Sequence, residues 1–137
     1  MKDHKNNNQK TYIIDAKGQI LGRLATRVAD LLRGRGKADF VYNLDGGDSV
    51  VVINAKEIKV TGNKMEDKIY YHHSGYPGGI KQKTLKQAIE KDPTWPLKNA
   101  VHGMLPKNKL RSIFIKKLKI FKDDNYKMKE GDIKSQF

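Results

Sequence analysis

The 137-residue chain has no cysteine. This excludes disulfides, thiolate zinc sites and cysteine nucleophiles together. Long apolar runs are also missing: the longest, Val50-Val51-Val52-Ile53, falls far short of the ~20 residues that a membrane-crossing helix needs. The opening MKDHKNNNQK has no apolar stretch of the secretory kind, so the expected location is the cytoplasm or an organelle interior. Negative charge is scarce, with 15 Asp and Glu against 28 Lys and Arg and a net charge of +13. An excess of that size repels itself and favours an anionic partner. The hydrophobic fraction of 37% is low but sufficient for a core, which excludes a merely disordered basic tail. The length suits one compact domain.

The excess charge is unevenly placed. Residues 1–18 carry +2 and residues 19–97 carry +4, whereas 98–129 carry +8 and the last eight residues −1. Lysine and arginine in the later segment alternate with apolar-periodic stretches, the pattern of a nucleic-acid surface on a folded scaffold.

Thr11 to Ala16 is β-prone and ends at Gly18, which predicts a first strand. Leu21, Leu24, Ala25, Val28, Leu31 and Leu32 then follow the spacing of an amphipathic helix, with Gly34 and Gly36 as stops. The apolar run from Val50 to Ile53 has no polar alternation, which predicts a strand buried on both faces in the middle of a parallel sheet. Strand, helix and strand make a βαβ unit. Ile58–Thr61 and Lys68–His73 read as two extended pieces around a turn, followed by a loop at Ser74–Gly79. Thr84 with Gln87 forms a capping-box pattern for a short helix. Asp92-Pro93 reads as an N-cap and first-turn proline for a second helix, whose apolar positions run from Leu97 to Leu105 and which Pro106 stops. A third helix is expected from Asn108 to about Phe114, and Lys117–Phe121 alternates as a late strand. The order predicts an α/β domain with helices packed on a small, mostly parallel sheet. The domain should span 11–122, between a polar tail at 1–10 and a C-terminal extension at 123–137.

Catalytic readings find little support. The histidines are His4, His72, His73 and His102, and neighbours in an extended segment point to opposite faces, so His72 and His73 do not share a metal. Asp45 and Asp48 offer two carboxylates, but Asp45-Gly46-Gly47-Asp48 is also an ordinary turn before a strand. The glycines and Lys81 fail the P-loop pattern, because Ile80 separates Gly79 from Lys81 and the hydroxyl is missing. Gly75-Tyr76-Pro77-Gly78 matches a GXXG loop only literally, with proline inside it. A nucleic-acid-processing enzyme using His72 or His73 with Asp48 is therefore a minor alternative, and a regulator that binds a messenger RNA is another. No cofactor, metal or small-molecule substrate is expected.

A binding reading accounts for more residues. Tyr70 to Lys81 combines aromatic faces, imidazoles and glycine-permitted close approach, with Lys81 and Lys83 just beyond, as RNA stacking and phosphate contact require. One of Tyr70 and Tyr71 should face the core and the other solvent; Tyr71, His73, Tyr76 and Lys81 are the candidates for contact. Arg33, Arg35 and Lys37 sit on a glycine-loosened turn suited to phosphate. Arg23 and Arg27 share a helix flank. Lys98 and His102 lie opposite their helix's apolar stripe. With Lys107, Lys109, Arg111, Lys116 and Lys117 they predict a continuous basic surface, extended by Lys119, suited to a structured RNA read by shape.

The blocks Asp15-Ala16, Leu21-Gly22-Arg23-Leu24-Ala25, Leu31-Leu32-Arg33-Gly34, Gly47–Ala55, Thr61-Gly62-Asn63-Lys64, the His-Ser-Gly-Tyr-Pro loop and Ala100–Asn108 together resemble the bacterial-type large-subunit ribosomal protein thirteen family. The resemblance spans roughly residues 12–121, in the family's order. It implies a three-layer α/β/α fold around a four-stranded parallel sheet with basic extensions. It further implies a structural role in the large ribosomal subunit: binding large-subunit ribosomal RNA early in assembly beside neighbouring ribosomal proteins, with no membrane. It supports RNA contact for Arg23, Arg33, Lys64, His73, Tyr76, Lys107 and Lys109. The chain departs from the family at Tyr126-Lys127-Met128 and at its Ser135-Gln136-Phe137 ending, so no RNA contact carries over to the last dozen residues.

Overall fold

A computed structural model describes residues 9–135, so most of the polar tail read at 1–10, and Gln136-Phe137 of the divergent ending, lie outside the described residues. Strand β1 (Thr11–Asp15), helix α1 (Leu21–Arg33) and strand β2 (Ser49–Ile53) form the expected βαβ unit. The two strands pair in parallel, from Thr11 against Ser49 to Asp15 against Ile53. A short 3₁₀ turn (Ala55–Glu57), helix α2 (Lys64–Asp67), strand β3 (Ile69–His73) and strand β4 (Ile80–Thr84) follow. Helices α3 (Leu85–Lys91), α4 (Trp95–Met104) and α5 (Arg111–Lys116) then lead to strands β5 (Leu118–Ile120) and β6 (Asp132–Ser135).

The sheet order is β5-β2-β1-β6, and every neighbouring pair is parallel. This is the layered α/β architecture that the sequence predicts. The apolar β2 occupies an inner position because each of its faces has a hydrophobic cover. Val50 and Val52 join Ile14 under Leu24, Val28 and Leu32 of α1, Leu97 and Val101 of α4 and Phe114 of α5. Val51 and Ile53 join Ile13 on the opposite face, packed by Phe121 and Tyr126. The edge strand β6 comes from the segment set apart in the sequence as an extension, and it pairs with β1 from Thr11 against Asp132 onward.

Local devices hold the helix ends. Ile20 does not cap α1 with its side chain. Instead the Leu21 N–H donates to the Lys59 carbonyl at 2.9 Å and the Lys59 N–H to Gln19 at 2.9 Å. The Ile58–Thr61 segment therefore lies parallel to the entry of α1, through an Ile20–Lys59 bridge. At the other end Gly34 takes φ 73°. Its N–H reaches the Leu31 carbonyl, and the Arg35 N–H reaches that of Asp30, the double bond of a glycine-terminated helix. Thr84 and Gln87 form the predicted capping box at α3. Asn54 adopts a left-handed φ of 57°, and its amide donates to the Asp15 carboxylate at 2.9 Å.

Three boundaries differ from the sequence reading. Asp92 ends α3 instead of opening α4. Its carboxylate accepts from the Thr94 N–H at 3.0 Å and the Thr94 hydroxyl at 2.8 Å, which turns the chain so that α4 starts at Trp95 with Pro96 in its first turn. Helix α5 begins at Arg111 because Asn108 and Arg111 first close turns onto the Pro106 and Asn108 carbonyls. The extended piece 68–73 pairs not with 58–61 but antiparallel with β4, from Ile69 against Thr84 to His73 against Ile80; α2 intervenes between the two extended pieces.

Candidate nucleic-acid interface

The basic residues predicted from sequence divide by what their side chains touch. Two lysines are structural ties. The Lys37 ammonium donates to Asp48 at 2.8 Å and to the Gly46 carbonyl at 2.9 Å. Asp48 is buried and also accepts from the Lys10 N–H at 3.0 Å. The Lys117 ammonium donates to Asp45 at 2.6 Å and to the Gly47 carbonyl at 3.2 Å. Asp45 and Asp48 thus act as counterions that clamp one glycine turn from both sides. That turn presses on the end of α1: a Cβ on Gly47 would stand 1.7 Å from the Leu32 carbonyl oxygen, and one on Gly34 would stand 2.7 Å from that of Gly46. Close backbone approach explains Gly34 and Gly47.

Arg111 is likewise engaged. Its half-buried guanidinium donates to the carbonyls of Pro106 at 3.2 Å and Leu105 at 3.3 Å, bracing the turn that presents Lys107 and Lys109. Both of those lysines are exposed, as is Lys116. Arg33 lies 5.9 Å from the Phe40 ring centroid. Exposed Arg35 stands 3.9 Å from Asp30, a distance at which a solvated pair contributes little.

Arg23 and Arg27 point outward from α1, and Lys98 and His102 outward from α4. These two helices pack on each other, and the Thr26 hydroxyl donates to the Met104 thioether at 3.4 Å. The β3–β4 ribbon forms the remaining projection. Tyr71 is 68% exposed and Tyr76, at the ribbon's tip, 75%. Half-buried Tyr70 packs edge-on against Trp95 instead, so the two tyrosines divide as their alternation predicts. Burial pushes the Tyr70 phenol above its ordinary pKa. His73 Nδ1 accepts the Gly75 N–H at 2.9 Å, which leaves Nε2 as the nitrogen directed elsewhere. Gly75 and Gly78 take φ 85° and 70°, the conformations that fold the tip back on itself. Exposed Lys64 reaches the Thr61 hydroxyl at 3.3 Å, and Lys81 is exposed on β4. Sequence reasoning missed Trp95, which lies under the ribbon beside Lys83.

Exposed cations thus lie on the flanks of α1 and α4, on a braced turn and on a glycine-tipped ribbon that also carries exposed aromatics. The family model described as Ribosomal protein L13 matches residues 9–127. The chain belongs to the ribosomal protein L13 family. The large ribosomal subunit protein uL13 of Maridesulfovibrio salexigens is 53% identical over 114 residues, covering 83% of this chain and 80% of its own. That of Geobacter sulfurreducens is 51% identical over 110 residues, covering 80% and 77%. That of Syntrophus aciditrophicus is 48% identical over 116 residues, covering 85% and 82%.

The L13 family match encloses every candidate cation and aromatic described above. Among the described residues no group of three or more His, Cys, Asp or Glu is placed to hold a metal ion. No helix among them is long and apolar enough to cross a membrane.

Proposed function

We propose that the chain is a structural component of the large ribosomal subunit, that it binds large-subunit ribosomal RNA, and that it catalyses no reaction. The observation that carries this reading is membership of the ribosomal protein L13 family over residues 9–127, and the exposed cations supply the chemistry. Arg23, Arg27, Lys98, His102, Lys107, Lys109 and Lys116 offer donors to phosphate oxygens. Tyr71, His73 and Tyr76 present a stacking and hydrogen-bonding edge to accessible bases, and Lys81 offers its ammonium from the ribbon's other face. Lys37, Lys117 and Arg111 act differently: they fix the loops on which their neighbours are displayed. Neighbouring large-subunit proteins are the remaining partners, and engagement early in assembly follows if the folded domain binds RNA unaided.

Filter binding to large-subunit ribosomal RNA across a salt series tests the reading. Tight binding whose logarithm falls steeply with the logarithm of salt is expected. Equal affinity for unrelated RNA of the same length would overturn it.

A further inference from the structure

Beside Trp95, between the β3–β4 ribbon and α3–α4, runs a groove of about 550 Å³. The antiparallel register sets Tyr70 beside Lys83 and His72 beside Lys81. Alternation along each strand puts these four side chains on one ribbon face. Across the groove stand Lys91 of α3 and Trp95 and Asn99 of α4. Tyr70 and Trp95 meet edge to face, with ring centroids 4.9 Å apart at 85°. The Lys83 ammonium sits 3.6 Å from the centroid of the Trp95 ring.

We propose that this groove holds an unpaired RNA nucleotide and its flanking phosphates, a specialisation that rests on the RNA-binding reading above. The volume lies in the range of sites that enclose small ligands. Three ammonium groups, on Lys81, Lys83 and Lys91, define the ligand's charge, and two aromatic rings define its apolar part. A duplex satisfies the first requirement but not the second, because its bases are stacked inside and present no ring face to a side chain. A single strand satisfies both. Lys83 links the two. Bound to the indole face, it covers the ring; drawn onto a phosphate oxygen beside Lys81 or Lys91, it uncovers that face for a base. The Asn99 amide and the His72 imidazole then supply donors and acceptors to a base edge.

Trp95 is the chain's single tryptophan, so the intrinsic emission of the full-length protein reports on this groove. The protein is titrated with single-stranded oligouridylate and oligoadenylate of about ten nucleotides, within the usual span of a single-strand site. A duplex of the same length and inorganic phosphate are titrated in parallel. Saturable quenching of Trp95 by the single strands, with loss of acrylamide access, is expected. The duplex and phosphate should leave the emission unchanged. The variant Lys81→Gln/Lys91→Gln alters two exposed side chains. It should keep the parent melting temperature and lower the single-strand log–log salt slope by about 1.4, at about 0.7 per lost phosphate contact. An unchanged slope, unaltered emission at saturating single strand, or equal quenching by the duplex or by inorganic phosphate would overturn the proposal. Salt-sensitive binding of ribosomal RNA with silent Trp95 refutes the groove alone, whereas failure to bind ribosomal RNA at all refutes the function as well.

Discussion

Lys117 is the sharpest test of how the structure sorts the basic residues, because its position in the most positive segment marks it as an RNA ligand and its geometry does not. Its ammonium is held by Asp45 at 2.6 Å and the Gly47 carbonyl at 3.2 Å, and only 14% of the side chain is exposed. Lys117→Met keeps most of the apolar stem and removes both bonds. A hydrogen bond to a charged group contributes about 1.5–3 kcal/mol. The Asp45 side chain is 23% exposed, so water replaces part of the loss, and a cost of about 2 kcal/mol results. For a domain of this size that lowers the melting temperature by about 7 °C. The charge lost is not one that meets phosphate, so the salt slope of binding to ribosomal RNA should stay within about 0.3 of the parent's. Thermal melting and salt-series filter binding on one preparation read both quantities. A slope reduced by about 0.9 with an unchanged melting temperature would refute the assignment.

Four further outcomes are expected. Lys107→Gln/Lys109→Gln should leave melting unchanged and reduce the salt slope on folded ribosomal RNA by about 1.8, the share of two duplex phosphate contacts; an unchanged slope would place that turn away from RNA. Gly47→Ala should cost about 3 kcal/mol by forcing backbone apart, because its Cβ would meet the Leu32 carbonyl oxygen at 1.7 Å. Gly22→Ala, on the open face of α1 with nothing within 4 Å, should stabilise by about 0.5 kcal/mol, and urea unfolding distinguishes the two. The Thr94 hydroxyl and N–H hold the Asp92 carboxyl below its ordinary value of 3.8. Its folded pKa lies under its unfolded one, so its stabilisation is complete above about pH 4 and fades as pH falls through the depressed value. Asp92→Ala should therefore cost about 1 kcal/mol at neutral pH, with the difference from the parent closing in acid; a constant difference down to pH 2 would contradict the linkage.

Much of the fold is written in local pattern. The change of period from Ile14 to Leu21 marks β1 and α1, and the unbroken Val50–Ile53 run demands a strand covered on both faces. The Thr84/Gln87 capping box is visible in the sequence. What pattern does not show depends on distant pairing. Strand β4, Ile-Lys-Gln-Lys-Thr, looks like loop until β3 lies against it. Strand β6 exists through its register with β1, across more than a hundred residues. The same distinction governs the interface. Exposure of Lys107, Lys109 and Tyr76 follows from turns that can be read directly, whereas alternation shows only that one of Tyr70 and Tyr71 faces outward. The engagement of Lys37 and Lys117 required Asp48 and Asp45 to be brought to them by the fold. Trp95 escaped because its neighbours, Tyr70 and Lys83, come from another element; the i, i+2 spacing of Lys81 and Lys83 was the available signal.

The central claim, a structural protein of the large ribosomal subunit held by its basic face, is tested most directly by sedimentation. Tagged full-length protein in its own cells should travel with the large subunit through a low-salt gradient, one copy per particle, and leave it only at high salt. A protein found at the top of that gradient, free of large subunits, would contradict the account.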